Sequence, residues 1–449
     1  MENLLKGGDP QERRLIIARF LQRVGGESSY FVGILGYAAY DLHASAALIA
    51  IIMLFFNGAM MLGSMVAGFF VDRMGPRRVL LGAQVSIFAT AVALQFIGKS
   101  VPLFIALSAL MGVTLAHFNT GFASLGPYLV KGTDELKRFN SRIEVASYAA
   151  SIVGPLVGAA IVSNAPTIRV FLFNAVMTVA SAAFMWKFTE RFKPERREEQ
   201  KHPLYEIKRG FQLVLSEKTL IFFLIANILV FFAFGAFDSL ESLYYKDVVG
   251  VGVEWMGYVN SAIGFGLLIG AFALGRFKAR HINITMLSLL MLLEGLGTLV
   301  YVGTSSIVVV VIGGLILGFA FGAAEPLMRT LIQAVSPLQY IGRVTGVMQL
   351  VRNGGSLIPL LLAPGLSDTF GVQAVLVGAA VLTSIASFSL LPFARRLDAQ
   401  TADTLQIDQI DPFADGEETS LREPEMSLSG EGADLHAALG RSENRKDEQ

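Results

Sequence analysis

The apolar positions of this chain are gathered into long runs, each close to the roughly 20 residues that a helix needs to cross about 30 Å of hydrocarbon. Six runs come first: Leu15 to Tyr40, Leu48 to Val71, Val79 to Ile97, Leu103 to Tyr128, Ile143 to Val162 and Val170 to Phe188. After a polar segment six more follow: Leu220 to Tyr244, Met256 to Leu274, Ile284 to Val302, Ile307 to Leu331, Val344 to Pro364 and Val372 to Leu391. The pattern predicts an all-α integral membrane protein of about 12 transmembrane helices in two six-helix halves. The expected divisions are a cytoplasmic N-terminus (1–14), the N-terminal half (15–188), a central cytoplasmic linker (189–218), the C-terminal half (219–394) and an acidic, disordered cytoplasmic tail (395–449).

Composition agrees, because 53% of the 449 residues are hydrophobic and only 16% charged. The mean hydropathy of +0.57 exceeds what a soluble domain hides in its core. Cysteine is absent, which excludes disulfides and thiolate metal sites, and five histidines are few for a metal protein. A formal charge of zero argues against a nucleic-acid surface.

The charges are unevenly placed, and that fixes an orientation. Arg13, Arg14, Arg73, Arg77, Arg78, Lys131, Lys137, Arg138, Arg276, Lys278, Arg280, Arg343, Arg395 and Arg396 fall on one side of the twelve-span scheme, against Lys99, Arg169 and Lys246 on the other. Positive charge stays cytoplasmic, so both termini and the basic linker are expected inside, with the chain multi-pass in the plasma (inner) membrane. The polar start runs into an apolar stretch longer than a signal core, so the first helix is expected to be retained. Glycines at Gly264, Gly266 and Gly270, and at Gly313, Gly314, Gly318 and Gly322, are spaced for close helix packing.

Between the second and third runs stands Gly68-Phe69-Phe70-Val71-Asp72-Arg73-Met74-Gly75-Pro76-Arg77-Arg78. It resembles the G-x-x-x-D-R-x-G-x-R-R signature of the major facilitator superfamily. In this reading Gly68 permits close helix contact, Asp72 meets helix N-terminal dipoles, Gly75 turns the chain, and Arg73, Arg77 and Arg78 anchor the cytoplasmic edge. The resemblance implies a gate that latches the two halves when the cytoplasmic side is shut. Leu125-Gly126-Pro127-Tyr128-Leu129-Val130, Glu135-Leu136-Lys137-Arg138-Phe139-Asn140, Gly154-Pro155-Leu156-Val157-Gly158 and Gly342-Arg343-Val344-Thr345-Gly346 are similar to motifs of its efflux branch, which includes macrolide and enterobactin exporters. Two positions depart from the pattern: His117 stands where drug–proton antiporters carry arginine, and Pro76 replaces a common basic residue.

Charge at bilayer depth is costly, so intramembrane ionisable groups are functional candidates. For transport and proton coupling these are Glu27, His117, Asp238, Glu241, Glu325 and Arg329; for the cavity wall they are Arg23, Asn119, Arg352 and Asn353. Arg23 and Glu27, like Glu325 and Arg329, are spaced i, i+4 and share a helix face. Asp238 and Glu241 share a face near an outer end, expected either as an acidic rim of the second half's cavity or as simply exposed. Aligning the halves through Thr120 and Pro326 sets Asn119 opposite Glu325, both towards one central cavity. His117 is the deepest histidine, a residue type suited to proton exchange.

No phosphate-binding loop, nucleophile–base set or metal-ligand spacing is present. The chain is therefore expected to be a secondary transporter and not an enzyme, without cofactor, driven by a proton gradient. Its expected partners are the lipid bilayer and a small amphiphilic compound, drug, macrolide or siderophore-like, which it exports as a monomer by alternating access. The competing readings are lipid or lysophospholipid transport, and a transport-inactive scaffold or sensor.

Overall fold

The computed structural model describes residues 9–130, 133–189, 203–277, 282–336 and 341–401. These residues are almost wholly helical, and twelve long helices follow the twelve apolar runs. In the first half they are α1 (Pro10–Ser28), α2 (Ala46–Met74), α3 (Pro76–Ala93), α4 (Val101–Ala123), α5 (Thr133–Val162) and α6 (Arg169–Met185). In the second they are α7 (Lys218–Leu243), α8 (Glu254–Leu274), α9 (Ile284–Val302), α10 (Ile307–Val335), α11 (Ile341–Phe370) and α12 (Val372–Thr401). Nine are long and apolar enough to span a bilayer by length and composition alone. The other three have evident reasons to miss that test. α1 changes to π-type hydrogen bonding from Ser29 to Asp41, α6 has 17 residues, and α11 carries Arg343, Arg352 and Asp368.

The halves meet through α5 against α8 and α2 against α11. Within the second half α8 and α10 touch backbone to backbone. A Cβ on Gly270 would run into the carbonyl of Phe319, and one on Gly322 into that of Leu267, so only glycine allows this approach. Gly75 ends α2 with φ 82°, a left-handed backbone that favours glycine, and Pro76 opens α3 with its fixed φ. Pro76 is thus a helix-start residue here.

One boundary differs from expectation, and the linker has structure of its own. The central linker contains a helix, Pro203–Ser216, while residues 190–202 lie outside the described residues. At the C-terminus α12 continues through Thr401, so Asp398 belongs to the bundle and not to the tail. Its carboxylate accepts from the Ile284 and Thr285 backbone amides at 2.8 and 2.9 Å, capping α9, whose first N–H groups have no partner in their own helix. The acidic stretch beyond 401 lies outside the described residues, as do Lys131, Lys278 and Arg280.

Candidate functional site

Helical periodicity sets Arg19, Arg23 and Glu27 along one stripe of α1, each four residues from the next. Arg23 Nε lies 2.7 Å from Glu27 Oε1, and Ser151 of α5 donates to the same oxygen at 3.4 Å. Arg19 donates from Nη1 to Asn119 Oδ1 of α4 at 2.8 Å and from Nε to Ser147 Oγ at 3.4 Å. Its guanidinium also lies 5.9 and 5.2 Å from the ring centres of Phe118 and Phe122, within range of the attraction between a cation and a π face.

The opposing wall comes from α10 and α11. Glu325 Oε1 accepts from Arg352 Nη1 at 2.7 Å and from Arg329 Nε at 3.2 Å, so one carboxylate is held between two guanidiniums. Arg352 also donates to Gln349 Oε1 at 2.5 Å and lies 4.9 Å from the Phe231 ring centre. Pro326, inside α10, removes one backbone donor beside the acid.

Between these walls lies a cavity of about 820 Å³, lined by Arg19, Arg23, Glu325, Arg329 and Arg352 together with Asn119, Glu144 and Tyr148. It leads to a deeper pocket of about 240 Å³ lined largely by Tyr30, Phe31, Phe56, Met60, Leu115 and Phe118, and the two share Arg19, Arg23 and Asn119. The mouth is on the face of the bundle where α1 begins. There Arg329 and Glu144 face each other across the halves at 3.9 Å, with side chains 59% and 52% exposed.

At the opposite face the halves are tied together. Asp238 of α7 accepts from Tyr30 Oη at 2.8 Å and Asn57 Nδ2 at 3.0 Å. Tyr40 Oη donates to the Val251 carbonyl at 2.9 Å, and Lys246 Nζ to that of Ala39 at 2.7 Å. The cavity is therefore open at one face and shut at the other.

The acidic rim expected at Asp238 and Glu241 does not exist. Asp238 closes the inter-half seam, while Glu241 is buried and accepts from Tyr301 Oη at 2.5 Å; Tyr301 in turn meets the Tyr245 hydroxyl. Three residues apart, the two acids diverge because neighbouring helices supply donors on different sides. His117 faces away from the cavity into an outer groove beside Phe70 and Val79, with Nδ1 2.8 Å from the Val113 carbonyl. Two residues along a helix is about 200°, which sets it opposite Asn119. The Asn353 side chain lies outside the described residues.

The motif expected to act as a gate lies at the surface. Asp72, Arg73 and Arg78 are exposed, and Arg77 donates to the Trp186 carbonyl at 3.0 Å. Gly68 makes no close helix contact, since a Cβ there would meet nothing within 4 Å.

Sequence reasoning missed Arg19 and Asn57, and gave Glu294, an acid set among leucines, a low rank. Arg19 reads as one more basic residue near the start of the first helix, and its partner is 100 residues away. Asn57 has no sequence signal for its bond to Asp238. Glu294, with no i, i+4 partner, is 4% exposed; its Oε2 has no hydrogen-bond partner among the described residues. It shares a void of about 20 Å³ with Glu325, room for about one water.

Comparison with known proteins agrees with this architecture. A family model described as Major Facilitator Superfamily matches residues 15–359. An uncharacterised MFS-type transporter, YfiS of Bacillus subtilis, is 24% identical over 381 residues, covering 82% of this chain and 89% of that protein. The enterobactin exporter EntS of Shigella boydii is also 24% identical, over 80% of this chain and 85% of its own length. The multidrug resistance protein MdtG of Yersinia enterocolitica is 22% identical over 70% and 75%. Among solved structures, the nucleoside transporter NupG superposes with a TM-score of 0.70 at 13% identity, covering 85% of this chain and 99% of that one. A bacterial homologue of the iron transporter ferroportin in an inward-facing state gives 0.65 at 16% identity, over 84% and 98%. These two likenesses concern the fold alone.

Proposed function

Because the chain belongs to the major facilitator superfamily and is a membrane transporter, not an enzyme, we propose that it exports a small amphiphilic compound in exchange for protons by alternating access. The observation that carries this reading is the one-ended cavity between the halves, with Glu325 held by Arg329 and Arg352 on its wall. The basic residues at the mouth face, such as Arg73, Arg78 and Arg343, support a cytoplasmic assignment of that face by the positive-inside rule. Cargo then enters from inside the cell, and both termini lie there.

Exchange follows from competition for the same charges. A proton on Glu325 cancels the anion that orders Arg329 and Arg352, and frees both guanidiniums; deprotonation restores the cluster. Glu27 stands in the same relation to Arg23. The seam at Asp238, Tyr30 and Asn57 must open for release on the far side. Relatives named as an enterobactin exporter and a multidrug resistance protein support the outward direction.

Susceptibility screening of cells lacking or overproducing the protein would identify a cargo. In everted vesicles that cargo is expected to dissipate the pH gradient, an effect abolished by Glu325→Gln and strongly reduced by Glu27→Gln. Unchanged coupling in both variants would sink the assignment of these carboxylates.

A further inference from the structure

The walls of the two connected pockets carry four guanidiniums, Arg19, Arg23, Arg329 and Arg352, against three carboxylates, Glu27, Glu144 and Glu325. Three of the cations have an acid within 4 Å: Arg23 has Glu27, Arg352 has Glu325, and Arg329 has Glu325 and Glu144. Arg19 does not. Among the described residues its contacts are the amide oxygen of Asn119, the hydroxyl of Ser147 and two phenyl rings, all uncharged. The excess positive charge of the site therefore sits at one residue, at the junction where the wide cavity narrows into the deeper pocket.

We propose that the cavity takes an amphiphilic anion, whose charged head docks on Arg19 and whose apolar body enters the pocket bounded by Phe31, Phe56, Met60 and Leu115. A guanidinium offers five N–H donors in a planar fork. Asn119 and Ser147 take bonds from Nη1 and Nε, which leaves donors for a carboxylate, sulfonate or similar head. Taking a charge out of water is costly unless a counter-charge meets it, and a bound anion supplies the one the protein lacks. A cationic ligand would add to the excess instead. Gln22, 2% exposed on the wall of the same pocket, has a carboxamide oxygen without a hydrogen-bond partner among the described residues and can accept from an N–H or O–H on the ligand body.

This inference rests on the central cavity being the cargo site, and is independent of transport direction and coupling. The full chain in nanodiscs of zwitterionic lipid would be titrated calorimetrically with 2-naphthoate, 2-naphthamide and 2-naphthylmethylammonium, which share a body and differ in head group. Naphthoate is expected to bind at least about tenfold more tightly than the amide, about 1.4 kcal/mol, with the ammonium weakest. Arg19→Gln is expected to lower naphthoate to about the amide's affinity while both probes still bind, which checks that the pocket is intact. Arg19→Lys should keep part of the preference, and Arg169→Gln, remote from the site, all of it. Equal or tighter binding of the amide or ammonium to the unaltered chain overturns the proposal, as does no binding of any probe, or a preference that survives Arg19→Gln. Vesicle proton flux separates the two readings: lost flux with an intact head-group preference removes proton exchange alone, and the converse removes the anion site alone.

Discussion

Glu325 carries more than any other side chain in the cavity, because two arginines depend on one carboxylate. Breaking a fully buried pair costs about 3–5 kcal/mol; with side chains 18% and 20% exposed in the pair with Arg352, screening reduces that to about 1–3 kcal/mol. Glu325→Ala is expected to lower the thermal unfolding midpoint accordingly, and Glu325→Asp by less. An unchanged midpoint would mean that solvent already compensates the arginines. The pairings Arg23 with Glu27 and Arg329 with Glu325 were legible in the sequence, because i, i+4 spacing implies contact within one helix. Arg19, Arg352 and Asp238 take partners from other helices, and spacing along the chain says nothing about those. The phase of His117 against Asn119 also depends on which side of α4 the neighbours lie.

Among the helices, the apolar run was a sufficient guide to their number and order: all twelve appear, since a span must satisfy its backbone hydrogen bonds internally, although α5 begins at Thr133, before Ile143, and α12 runs past Leu391 to Thr401. The ends were harder, because caps depend on distant groups. Asp398 reads as the start of an acidic tail, yet it caps α9. Asp398→Ala is therefore expected to destabilise the protein by about 1 kcal/mol, measured by thermal unfolding in detergent. Two glycines that look alike in sequence should behave oppositely. Gly270→Val forces α8 from α10 and is expected to abolish a folded, monodisperse product in size-exclusion chromatography. Gly68→Leu meets open space here and is expected to leave the unfolding midpoint unchanged. If Gly68 packs closely only when the mouth closes, the same variant will slow transport. A lowered midpoint for Gly68→Leu would contradict the open space at this position.

For the molecule as a whole, the asymmetry between its faces implies movement. Among the described residues, one face has a single ion contact across the halves, at 3.9 Å, while the other has at least four hydrogen bonds between them. In the proposed export cycle, cargo leaves by the sealed face only when those bonds break, and a gradient is preserved only if the mouth closes first. The two-half architecture was legible from the runs and the polar linker; which face stands open was not, because a sequence specifies both conformations at once. The absence of cysteine makes a direct test simple. Spin labels on Ser141→Cys with Gln333→Cys would span the mouth, and labels on Ala47→Cys with Asp247→Cys the sealed face, in the full chain in nanodiscs. Electron–electron distance measurements should give two populations for each pair, with shortening at the mouth matched by lengthening at the far face as pH is varied, and the response lost in Glu325→Gln. A single distance for each pair, unmoved by pH, would contradict alternating access.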